Sequence, residues 1–134
     1  YLAFAENKIK AAVPIISTPD FMSVLNNLNL IEEIERLQSQ GIMGTGSDFD
    51  GYKERVSQYN PIKHYEKMKD TPLLMLCGEN DNITFPEGAE KIYGLLKPIV
   101  SDKEALKYVS YPGVGHNDTF QMNYQMMTWM KKYL

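Results

Sequence analysis

At 134 residues, 43% apolar and 23% charged, the chain has the makeup of a soluble globular polypeptide of about one domain. A formal net charge of −3 leaves no cationic footprint for nucleic acid, and no apolar run approaches the roughly 18 residues of a membrane span. The single cysteine, Cys77, excludes an internal disulfide framework and suits a reducing, cytoplasmic compartment.

In chain order, Tyr1 to Ala5 reads as the tail of a helix, and a first residue other than methionine leads us to expect that something upstream has been removed. Lys10 to Ile16 is a short apolar run closed by Ser17-Thr18-Pro19-Asp20, which predicts a buried strand and a turn. Pro14 takes away a ladder donor, so an edge or a local irregularity is expected there. From Phe21 to about Gln40, the residues Val24, Leu25, Leu28, Ile31, Ile34 and Leu37 recur at threes and fours, the period of an amphipathic helix. Glu32, Glu33, Glu35 and Arg36 fill its other face. A Gly/Ser/Asp-rich break over Gly41 to Gly51 precedes a weaker helix from Tyr52 to about Gln58. Asn60-Pro61 marks a turn, with one short turn-like segment before Lys69.

Pro72 to Cys77 is a continuous apolar strand. Pro86 suits the first turn of a helix running to Leu96, with Ala89, Ile92, Leu95 and Leu96 as its inner stripe. Leu106 to Tyr111 is a further strand, and Asp118 or Thr119 is placed to cap a final helix that reaches Leu134. That helix is apolar on two faces: Phe120, Tyr124, Met127 and Leu134 on one, Met122, Met126, Trp129 and Tyr133 on the other. A helix wet on one side does not need both, so a second covering surface is expected. Strands alternating with helices predict an α/β chain with a mostly parallel sheet of about three strands, covered on both faces.

Two motifs carry chemistry. Asp81 lies just past the carboxyl end of its strand in Gly78-Glu79-Asn80-Asp81, and His116 lies on the loop after the next strand in Tyr111-Pro112-Gly113-Val114-Gly115-His116. Sites in open α/β sheets form at the carboxyl ends of strands, and neighbouring parallel strands are about 4.8 Å apart. A carboxylate and an imidazole so placed can form the orienting pair of a nucleophilic hydrolase. Each residue alone reads more simply, Asp81 as a turn former and His116 as an exposed loop side chain. Together, in the chain order acid then histidine, they point to catalysis. Cys77 is expected to be a small buried hydrophobe and His64 a solvated side chain, while a metal site built from Asp81, His116 and Asp118 lacks the close His/Cys spacing such sites show.

The run Thr71 to Asp81 with Phe85-Pro86 resembles the acid-bearing strand and turn of α/β-hydrolase-fold esterases and acyl-aminopeptidase-like peptidases, and Tyr111 to His116 resembles their histidine loop. Tyr1 to Ala5 with Ile9 to Ile16 is similar to the helix after the nucleophile and the strand that follows it, and Asn60-Pro61-Ile62 matches another stretch. The resemblance covers nearly the whole chain but only the second half of the family's fold. It implies a C-terminal portion of a serine hydrolase over residues 1–134, with a cap-like helical insertion at about 19–60. Asp81 would be the acid and His116 the base, on ester or peptide substrates, with no metal or organic cofactor. The chain departs from the family in one respect: Gly-x-Ser-x-Gly, which carries the nucleophile, does not occur, and Gly44-Thr45-Gly46-Ser47-Asp48 has the wrong spacing. The chain alone is therefore expected to be inactive.

Two other readings remain open from the residues: a non-catalytic binding domain derived from the same fold, and a stand-alone flavodoxin-like domain. An unpaired strand edge at Lys10 to Ile16 and the Met-rich last helix lead us to expect a homo-oligomer.

Overall fold

The computed structural model of the chain describes residues 9–42 and 49–134. The expected helix tail at Tyr1 to Ala5 and the Gly44 to Asp48 run lie outside the described residues. The elements in order are α1 (Phe21–Leu25), α2 (Leu28–Ser39), α3 (Phe49–Gln58), a 3₁₀ segment (Pro61–Met68), β1 (Leu73–Gly78), α4 (Pro86–Leu96), β2 (Leu106–Tyr111) and α5 (Phe120–Tyr133).

β1 pairs with β2 in parallel and in unbroken register, from Leu73 opposite Leu106 to Gly78 opposite Tyr111. The third strand expected over 10–16 does flank β1, but as an irregular segment: Ala12 and Ile15 make isolated parallel bridges to Leu73 and Leu76. Ala12 and Ile16 donate to the carbonyls of Pro72 and Leu76, and Leu76 donates to the Pro14 carbonyl. Pro14 has no N–H to return, so the ladder is interrupted at that point.

β1 reads Leu-Leu-Met-Leu-Cys-Gly and is buried at every position. Period-two alternation splits it between two layers. Leu73, Met75 and Cys77 pack with Met68, Ala89, Ile92 and Leu96, while Leu74 and Leu76 pack with Met122 and Trp129. Of the inner stripe expected on α4, Ala89, Ile92 and Leu96 meet the sheet, while Leu95 is only half-buried and outside that cluster. Thr119 caps α5, its hydroxyl accepting from the Met122 N–H.

The single helix expected from Phe21 to about Gln40 is two. Asn26 and Asn27 donate back to the carbonyls of Met22 and Val24, closing α1 after little more than a turn. The Asn27 side chain then accepts from the N–H groups of Asn29 and Leu30 and caps α2. The apolar period runs straight through this break, which is why periodicity alone conceals it. α3 also starts earlier than expected, at Phe49.

Asn60, buried to 2% exposure, fastens this helical region to the rest. Its Oδ1 accepts from the Phe21 N–H at 2.9 Å, and its Nδ2 donates to Asp20 at 2.8 Å. The Ile62 N–H reaches the Pro19 carbonyl beside it. Asn60→Ala leaves the Phe21 donor unmet, and we expect a loss of about 1–3 kcal/mol in unfolding free energy. Urea denaturation measures this; an unchanged midpoint would show that Asn60 is not a fastening point.

Candidate active site

β1 ends at Gly78, and the chain turns through Glu79 and Asn80 to Asp81, whose side chain is 2% exposed. The turn closes on the carboxylate itself. Oδ1 accepts from the N–H groups of Ile83 (2.9 Å) and Thr84 (3.0 Å), and Oδ2 accepts from the Thr84 hydroxyl at 2.6 Å. His116 Nδ1 lies 3.1 Å from Oδ2 and 3.2 Å from Oδ1. Burial pushes the Asp81 carboxyl up, but the Thr84 hydroxyl, the Thr84 and Ile83 N–H groups and His116 outweigh it, and its pKa falls to about 2. At neutral pH the carboxylate is ionised and can only accept. The proton of the shared bond therefore sits on His116 Nδ1.

His116 reaches this position from the end of β2. Its loop is stitched to the acid turn by backbone: the Glu79 N–H donates to the Tyr111 carbonyl at 3.0 Å, and the Asn80 N–H donates to the Val114 carbonyl at 2.9 Å. Gly113 makes the bend with φ of 74°, in the region that favours glycine. Gly78 permits the approach. A Cβ there would stand 2.5 Å from the Gly115 carbonyl oxygen and closer still to that of Val114.

The ring of His116 is partly open to solvent, with its side chain 38% exposed. Nε2, on the far side of the ring from Asp81, has no hydrogen-bond partner among the described residues. Ile15, Ile16, His116, Asn117 and Asp118 line an open depression of about 410 Å³. Ile16, on its rim, has φ of 47°, a left-handed conformation that a β-branched residue holds only under constraint; its N–H is fixed to the Leu76 carbonyl. On the other side of the acid turn lies an apolar cavity of about 470 Å³. Phe21, Val24 and Leu25 of α1, Tyr52 and Val56 of α3, and Ile83 and Thr84 of the turn form its walls.

The structure brings Asp81 and His116 together and leaves the other candidates apart. Cys77 is buried, and burial, with the Asp81 charge adding to it, raises its thiol to about 11, so it is no nucleophile. His64 bonds through Nε2 to the Gln58 carbonyl, away from the pair. Asp118 accepts from Asn123 instead of joining Asp81. Among the described residues no group of three or more His, Cys, Asp or Glu side chains has the arrangement of a metal site. Two contributors went unnoticed in the sequence, Thr84 and Gly78. Thr84 has a signal there, a hydroxyl residue three positions after an aspartate, as in an Asx-type turn.

Gly78→Ala is expected to push the histidine loop away, breaking the Asn80–Val114 bond and the contact between Asp81 and His116 while leaving the sheet intact. A crystal structure or histidine NMR of the variant tests this; an unmoved His116 would contradict it. The Asp81 carboxyl also sets a pH dependence. Its folded pKa lies below the ordinary value of about 4, so the unfolded chain binds more protons between those limits. Its stabilisation is whole above about pH 4 and is lost as the pH falls toward 2. Asp81→Asn should flatten that part of the stability–pH curve, by about 2 kcal/mol, in denaturant titrations from pH 6 to 2. Parallel curves for the two proteins would refute it.

Solved structures share this fold. A crystal structure of TT1662 from Thermus thermophilus superposes with a TM-score of 0.68 at 20% identity, over 98% of this chain and 48% of that one. The structure of DcsB in complex with its substrate analogue superposes with a TM-score of 0.56 at 16% identity, over 98% of this chain and 59% of that one. The chain thus spans about half the length of the first of these. No curated protein matches it at a significant level. No helix among the described residues is long and apolar enough to cross a membrane. The α/β architecture is of the hydrolase type, and residues 17–134 match the model of the prolyl oligopeptidase family, Peptidase_S9. With nearly the whole sequence inside that match, the chain belongs to the prolyl oligopeptidase family.

Proposed function

We propose that the chain carries the acid and the base of a serine hydrolase that cleaves carboxylic esters or peptide bonds, with the serine and the oxyanion donors on residues outside these 134. One observation carries this reading. His116 is held through Nδ1 by a buried, ionised Asp81, and its Nε2 is unengaged among the described residues. In that state Nε2 takes the proton of a serine hydroxyl as its oxygen attacks the substrate carbonyl. Asp81 stabilises the imidazolium that forms. The imidazolium gives the proton to the departing alcohol or amine, and Nε2 then deprotonates the water that releases the acyl group from serine. None of these steps calls on a metal or an organic cofactor.

The helical region at about 19–60 fits a cap over this site. Its apolar cavity meets the acid turn at Ile83 and Thr84, and suits an acyl or aromatic group of the substrate. A buried single thiol accords with a cytoplasmic setting. Because Gly-x-Ser-x-Gly does not occur, we expect the 134 residues alone to be inactive. A second reading is a binding domain that keeps the pair but performs no catalysis, in which the complete protein also has no serine at the elbow.

p-Nitrophenyl esters, peptide p-nitroanilides and a fluorophosphonate label separate the two. The product of the complete gene is expected to be labelled and to hydrolyse substrate, with His116→Gln lowering kcat by roughly 10⁶-fold. The isolated chain is expected to do neither. A complete product that takes no label would favour the binding domain, and His116-dependent turnover by the isolated chain would overturn the external serine.

A further inference from the structure

Ile83 bonds one oxygen of the Asp81 carboxylate, and Thr84 bonds both. The Ile83 N–H donates to Oδ1 alone, whereas Thr84 gives Oδ1 its N–H at 3.0 Å and Oδ2 its hydroxyl at 2.6 Å. An aspartate has no strong preference for the plane of its carboxylate, because the torsion that turns it is broad and roughly two-fold. Two N–H groups on Oδ1 leave Oδ2 free to swing about that torsion. The Thr84 hydroxyl stops the swing. With both oxygens held, His116 Nδ1 stands almost evenly between them, 3.1 Å from Oδ2 and 3.2 Å from Oδ1. Burial raises the Asp81 carboxyl, and the Thr84 hydroxyl comes first among the contacts that bring it down.

The backbone shows the same demand from the other side of Thr84. Phe85 precedes Pro86, and a residue before proline is driven toward extended backbone. Phe85 instead has φ of 51° and ψ of 102°, a conformation that a bulky side chain adopts at a cost. Its carbonyl accepts from the Gly88 N–H in the first turn of α4. The chain passes from the grip on the carboxylate to the helix within this one residue, and the strain falls there.

We propose that Thr84 is a positioning residue, whose hydroxyl fixes the plane of the Asp81 carboxylate and through it the ring of His116. Its effect on rate rests on the serine-hydrolase reading; its effect on the imidazole does not. Thr84→Val keeps the branched shape and the N–H bond and removes the hydroxyl alone. Thr84→Ser keeps the hydroxyl and removes the methyl group.

Both variants of the complete gene product are to be compared with the unaltered protein by proton NMR of the His116 Nδ1–H, assigned by its loss in His116→Gln, and by kinetics on p-nitrophenyl acetate. In Thr84→Val the resonance is expected to move upfield and exchange faster with water, and kcat to fall by about tenfold at an unchanged KM. Thr84→Ser is expected to recover most of both. A Thr84→Val protein with the original resonance and kcat would overturn the proposal. So would a Thr84→Ser protein as impaired as Thr84→Val, since the methyl group and not the hydroxyl would then hold the turn. Should Thr84→Val fail to fold, Thr84→Ala carries the same comparison. A complete product without hydrolase activity would remove the serine-hydrolase reading, and the NMR comparison, which needs no turnover, would still decide the role of Thr84.

Discussion

β1 and β2 end level, with Gly78 opposite Tyr111, and the backbones that leave them stay in contact for several residues more. Glu79 and Asn80 donate to carbonyls of the histidine loop, and that loop lies where a side chain on Gly78 would be. The site depends on this contact. Parallel pairing in register sets two loops side by side; the missing Cβ lets one close on the other; His116 then falls within hydrogen-bonding distance of Asp81. Packing on both faces of β1 holds the register, because a slip by one residue would exchange Leu74 and Leu76 for Met75 and Cys77 between the two cores.

The same arrangement divides labour between the two side chains. Asp81 is enclosed by donors from its own turn, so its charge is stable without help from the histidine. His116 is partly open to solvent and, among the described residues, its side chain bonds through Nδ1. An enclosed acceptor and an open imidazole suit a pair in which the acid orients and the base exchanges protons. Thr84 belongs to both sides of the turn, bonding Asp81 with its hydroxyl and lining the apolar cavity. A group lodged in that cavity would therefore rest against the residue that holds the acid.

Much of this was legible in the sequence, for physical reasons that differ from place to place. β1, α4 and β2 were readable because a doubly covered parallel strand is a continuous apolar run and a helix upon it shows a stripe. The order of Asp81 and His116 on successive strand ends pointed to the pair of side chains that the structure brings together. What stayed hidden were features whose cause is a single side chain acting over a long separation or against the local period. Asn27 ends one helix and starts the next inside an unbroken apolar pattern. Asn60 fastens Phe21 across the whole helical region. Gly78 looks like any strand-end glycine until the loop that lies on it is known. Pro14 did announce the irregularity of the third strand, which keeps its place beside β1 through isolated bridges.

The tautomer of His116 tests the account most directly. Nitrogen-15 NMR of the imidazole at neutral pH should find the proton on Nδ1, with a low-field proton resonance, and Nε2 bare; Asp81→Asn should abolish that resonance. A proton on Nε2 with Nδ1 unprotonated would mean that Asp81 does not orient the ring, and the pairing at the centre of the proposed chemistry would be wrong.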